Sequence, residues 1–167
     1  MSDEANTNTN CLFDIILDED TIRRNTPDID HEREVAIFDL LEENYFELAP
    51  REGKPSVSGP FILTLSLVEN RLLFHIADQQ NNHLVAHTLS LSPFKKTIKD
   101  YFLICESYFE AIKTATPQRI EAIDMGRRGL HDEGSDLLIE RLKDKILLDK
   151  ATSRRLFTLI TALHWKG

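Results

Sequence analysis

Residues 61–89 alternate with a period of two, and nothing else in the chain constrains its fold so tightly. Phe61, Leu63, Leu65 and Leu67 fall on one side of an extended chain, with Ile62, Thr64, Ser66 and Val68 on the other. Glu69-Asn70 reads as a tight turn, after which Leu72, Phe74 and Ile76 alternate with Leu73, His75 and Ala77. Asp78 to Asn82 is a second turn, and His83 to Leu89 a third strand. The run predicts an antiparallel meander, drier on one side than on the other.

The flanks are mostly helical. Cys11 to Leu17 reads as a first strand, followed by an acidic turn and a loop through Asn25-Thr26-Pro27. A helix then starts at an Asp28 or Asp30 cap and buries Val35, Ile37, Phe38 and Leu41, stopping near Asn44. Tyr45 to Leu48 is a short strand, and Pro50 to Pro60 a loop. After the meander, Ser92-Pro93 opens a long helix whose apolar stripe runs through Phe94, Ile98, Tyr101, Phe102, Cys105, Tyr108, Phe109 and Ile112. Thr116-Pro117 opens the next helix, patterned as far as Ile146, with Gly126, Gly129 and Gly134 as breaks or points of close approach. A last helix, capped by Asp149, carries Phe157, Ile160 and Leu163 to Trp165, a core residue or a partner anchor. The order implies an α+β fold: an antiparallel β-meander packed against three to four C-terminal helices, with one N-terminal strand and helix. The expected organisation is a disordered tail over 1–10 and a single domain over 11–167.

Charge narrows the function. Residues 1–90 hold 6 Lys+Arg against 17 Asp+Glu, and residues 91–167 hold 14 against 11, so a net charge of −8 divides into −11 and +3. Nucleic acid and anionic membrane both need clustered positive charge, so both are disfavoured as partners. The longest strongly apolar run, Phe61 to Val68, is too short to span a bilayer. The polar, acidic N-terminus lacks the apolar core of a signal peptide. Cys11 and Cys105 have no metal-ligand or CxxC spacing and read as buried free thiols. A cytoplasmic protein without cofactor is expected.

The densest chemistry is Arg127-Arg128-Gly129-Leu130-His131-Asp132-Glu133-Gly134. As a site, Arg127, Arg128 and His131 would bind a phosphate or carboxylate, and His131, Asp132 and Glu133 are the catalytic candidates, an acid orienting the imidazole or serving as base. As structure, Asp124–Arg128 and Arg128–Asp132 are i,i+4 pairs that neutralise one another, and the glycines admit a neighbouring helix. The structural reading is preferred. Glu106 and Glu110, one turn apart, are better read as acceptors for Arg127 or Lys113 than as an acid–base pair. Arg154-Arg155 reads as a solvated basic face. His83 and His87, with His75 on the neighbouring strand, are a candidate metal cluster, but a wet sheet face explains them better, and no metal site is assigned. Nucleotide-loop, zinc-protease and nucleophile-elbow signatures are missing. The leading expectation is a small non-enzymatic adaptor or regulator that binds another protein or a second copy of itself. The alternative is an enzyme or sensor for a phosphorylated or otherwise anionic small molecule.

Four stretches carry a family resemblance: His31 to Asn44, Asp100 to Tyr108, Ile123 to His131, and Arg154 to Leu159 with the Leu163-His164-Trp165 ending. From about Cys11 onward the chain resembles family two-hundred-and-sixty-two of the Uncharacterised Protein Family series, found chiefly in alphaproteobacteria. The resemblance implies a cytosolic bacterial protein and brings no activity, ligand or catalytic residue with it.

Overall fold

The computed structural model describes residues 9–164. Most of the expected tail and Trp165 lie outside them. The sequence forms a mixed α+β fold: β1 (Leu12–Leu17), α1 (Pro27–Glu42), β2 (Phe46–Leu48), β3 (Phe61–Val68), β4 (Arg71–Ala77), β5 (His83–Ser90), α2 (Lys95–Thr114), α3 (Pro117–Leu142), β6 (Ile146–Leu148) and α4 (Lys150–His164).

The meander forms as expected. Leu63 pairs with Ile76, Leu65 with Phe74 and Leu67 with Leu72 across β3 and β4. Glu69 and Asn70 both adopt positive φ (53° and 67°), the paired left-handed geometry that matches strand twist in a two-residue hairpin. Leu63, Leu65, Leu72, Phe74 and Ile76 are fully buried, so the dry face of the sheet is the core face. β1 adds to the free edge of β3 in parallel, giving the order β1-β3-β4-β5. Asn44 closes the β1 side. Its Oδ1 accepts from Leu12 N at 2.7 Å, and its Nδ2 donates to Leu40 O at 2.8 Å, tying the strand to the end of α1. Asn44→Ala is expected to lower stability by about 1–2 kcal/mol, because a half-buried backbone donor loses its acceptor. The readout is a lower denaturant midpoint at unchanged slope; an unchanged midpoint would mean that water replaces the amide.

Several local readings are corrected. Thr26, not Asp28 or Asp30, caps α1: its side chain accepts from Ile29 N, with Pro27 in the first turn. The buried face of α1 is Ile29, Arg33, Ala36 and Leu40, while Val35 and Phe38 face outward. Arg33 belongs to that face because its guanidinium donates to Ala162 O and Arg23 O. Ser92 lies inside a short 3-10 turn before α2 and caps nothing there. The helix expected as far as Ile146 stops at Leu142, and Ile146 instead opens β6, which pairs antiparallel with β2. Thr116 and Asp149 behave as expected, accepting from Arg119 N and Thr152 N.

α3 is continuous across all three glycines. Gly134 is a point of close approach, where the ring of Phe157 on α4 lies against the helix backbone. Ser153 Oγ on α4 donates to Ser135 O on α3 at 2.6 Å, so small residues on both helices draw them together. Helix α4 lies between α1 and α3, and α2 packs on α3. That central position explains why Leu156, Phe157, Leu159 and Ile160 are all buried. Among the described residues, no helix is long and apolar enough to cross a membrane.

Candidate functional site

α3 sets Asp124, Arg127, Arg128, His131 and Asp132 along one side, at spacings of three and four residues. Asp124 takes both arginines, Arg127 Nη2 at 2.5 Å and Arg128 Nε at 3.2 Å. The Arg127 guanidinium also lies over the Tyr108 ring, 4.5 Å from its centroid, a cation–π contact that holds it against α2. The expected Arg128–Asp132 pair does not form. Asp132 turns to α4 and pairs with Arg154, with Lys150 at 3.9 Å, and Lys150 also reaches Asp136 at 2.5 Å. Arg154 is therefore part of the α3–α4 contact rather than a solvated face, and Arg155 donates to Glu43 O at 2.9 Å. Glu133 receives the Thr97 hydroxyl at 3.5 Å.

His131 packs inward. Its ring meets Phe157 edge-on at 5.4 Å and Tyr101 at 5.7 Å, and its Nε2 lies 2.7 Å from Thr158 Oγ1. Thr158 Oγ1 also lies within hydrogen-bond distance of Arg154 O, at 3.1 Å. Among the described residues Nδ1 has no hydrogen-bond partner. Burial, reinforced by Arg154, Arg127 and Lys150, pushes the imidazole down to about 4. At neutral pH the expected Arg127–His131 pair thus brings one cation, not two.

Arg127 lines a cleft of about 460 Å³ where four helices meet. α1 supplies Asp28, Ile29 and Glu32, α2 supplies Tyr101, Cys105 and Phe109, and α4 supplies Thr158, Thr161 and Ala162. Arg128, His131, Asp132 and Glu133 do not line it. The run splits between this cleft and the α3–α4 contact, and its candidate acid–base groups do not converge on a common hollow. Burial raises the Tyr101 hydroxyl to about 12 and raises the Cys105 thiol, so both stay protonated at neutral pH. Cys11, expected buried, is only half-buried. Asp28, Glu32, Thr158 and Thr161 were not signalled by the sequence, because only the crossing of α1 and α4 brings them to Arg127.

The remaining candidates lie apart. Glu110 pairs with Lys113 at 3.7 Å, and Glu106 and Glu110 border an open groove with Arg119. His87 stands opposite Phe74 and His75 opposite Ala86, so adjacent register positions place the two imidazoles on opposite faces of the sheet. Among the described residues, no three His, Cys, Asp or Glu side chains form a group that would hold a metal ion.

A family described as an uncharacterised protein family, UPF0262, matches residues 9–166. A UPF0262 protein of Bradyrhizobium sp. (strain ORS 278) is 57% identical, covering 95% of this chain and 92% of its own. One from Rhodopseudomonas palustris (strain BisA53) is 58% identical over 95% and 94%, and one from Rhizobium meliloti (strain 1021) 56% identical over 93% and 95%. No solved structure matches.

Proposed function

We infer a role for this chain from its own surface, because the chain belongs to the uncharacterised protein family UPF0262, whose description names no activity. It acts as a small cytosolic adaptor or regulator that binds another protein through the outer side of α2. One observation carries this reading. The apolar stripe of α2 is wider than the fold consumes: Ile98 and Cys105 are buried, but Phe109 and Ile112 keep 56% and 50% of their surface exposed. Single exposed apolar residues are ordinary, whereas two large ones three positions apart on one helix face leave the adjoining apolar surface that a docking site uses.

Phe109→Asp is expected to leave the melting temperature within a few degrees and weaken partner binding by about 30-fold or more, the effect of losing an interface anchor. Affinity capture with wild type and variant in parallel is the check. A partner held equally by both would sink the reading.

A second reading has one observation of its own. Arg127 lines the cleft, and its Nε has no acceptor among the described residues. A small anion seated there would raise the melting temperature of wild type but not of Arg127→Ala. Phosphate and short carboxylates are the probes.

A further inference from the structure

We propose that the partner is basic and apolar: it inserts a large apolar side chain into the four-helix cleft beside Phe109 and sets lysine or arginine side chains against Asp28 and Glu32. The proposal rests on the adaptor reading above and names the partner's chemistry. The walls supply the apolar half. Ile29, Phe109 and Ala162 contribute aliphatic and aromatic surface, and a cleft of about 460 Å³ lies within the size range of sites that accept compact apolar groups.

The rim supplies the charge. Asp28 and Glu32 are both exposed, and no cation approaches either within ion-pair distance among the described residues. The cation of the cleft, Arg127, is already engaged by Asp124 and Tyr108. The outer side of α1 continues the same sign through Glu34, Asp39 and Glu42. The arginine of that helix, Arg33, is buried and spent on Ala162 O, Arg23 O and Asp30. An incoming acid would meet this uncompensated rim, and a second copy would bring the same acids to it. A basic segment is attracted from a distance and loses no existing ion pair on docking.

The probes are three blocked hexapeptides, Lys-Lys-Leu-Phe-Lys-Lys, Glu-Glu-Leu-Phe-Glu-Glu and Lys-Lys-Ser-Ser-Lys-Lys, titrated into the full chain by calorimetry at low salt. The first is expected to bind at least tenfold more tightly than either of the others, and more weakly as salt rises. The double variant Asp28→Asn, Glu32→Gln should weaken it about three- to tenfold, the scale of two exposed charge pairs. Glu52→Gln, an exposed acid of the 50–60 loop, should leave it unchanged. Phe109→Ser should weaken it without altering the salt dependence. Tighter binding of the acidic peptide, or equal binding of the serine peptide, would overturn the proposal and leave the adaptor reading standing. Equal loss with Glu52→Gln would show attraction to net charge alone and overturn it too. Failure of all three peptides would overturn the proposal, while the adaptor reading would be judged by the Phe109→Asp capture.

Discussion

Alanine at Gly134 is expected to destabilise the protein by about 1–3 kcal/mol, while alanine at Gly129, five residues earlier on the same helix, stabilises it by about 0.5–1 kcal/mol. Glycine in a helix interior is unfavourable relative to alanine because it gives up more backbone freedom, and that gain applies at both sites. The surroundings differ. A methyl group on Gly129 would meet nothing within 4 Å. One on Gly134 would stand 2.3 Å from Cε1 and Cζ of Phe157. That ring is fully buried, and it is edge-on to His131 and Tyr101, so moving it disturbs two further contacts. Gly126 is intermediate, because its methyl would meet only Ile104 Cδ1, the free end of a flexible side chain, at 2.7 Å. Denaturant melts of the three variants should therefore rank Gly129→Ala above Gly126→Ala above Gly134→Ala. Phe157→Leu would relieve part of the Gly134→Ala penalty, so the double variant should lose less than the two singles added together. Equal effects at Gly129 and Gly134 would mean that α3 and α4 are not in the close contact described.

Those glycines also show where sequence reasoning stops. Elements whose signals are local are legible: the Glu69-Asn70 turn, the Thr116-Pro117 start of α3 and the Asp149 cap need only neighbouring residues. β6 is not legible, because Ile146 to Leu148 becomes a strand only by pairing with Phe46 to Leu48, about a hundred residues away. Parallel docking of β1 on β3 is hidden for the same reason. Periodicity identifies the apolar side of α2, but not that its neighbours stop short of Phe109 and Ile112. Nor does it foresee that Arg33, a charged residue, belongs to the buried face of α1, where backbone carbonyls receive it. In the candidate site, Arg127 is marked by composition, whereas Asp28 and Glu32 reach the cleft through the packing of α1 on α4.

Acidification should expose the inward packing of His131. The unfolded imidazole titrates near its ordinary 6.5, and the folded one near 4, because burial and the cations of Arg154, Arg127 and Lys150 oppose its charging. The unfolded chain therefore binds a proton that the folded chain refuses over this window. Stability is fully present above pH 6.5 and falls as pH drops towards 4, below which both states are protonated and the loss is complete. A fully buried ring would forfeit about 3 kcal/mol; because the ring is partly open to water, about 2 kcal/mol is expected. His131→Gln keeps an amide able to reach Thr158 but removes the titration. Urea melts at pH 7 and pH 4 should show wild type losing about 2 kcal/mol more than the variant, since the carboxylates shared by both proteins contribute equally to each. Parallel profiles would mean that the ring charges freely in the folded state, so that Arg127 and His131 present two cations at acid pH. That charge would stand beside Arg154 and Lys150, outside the lining of the Arg127 cleft.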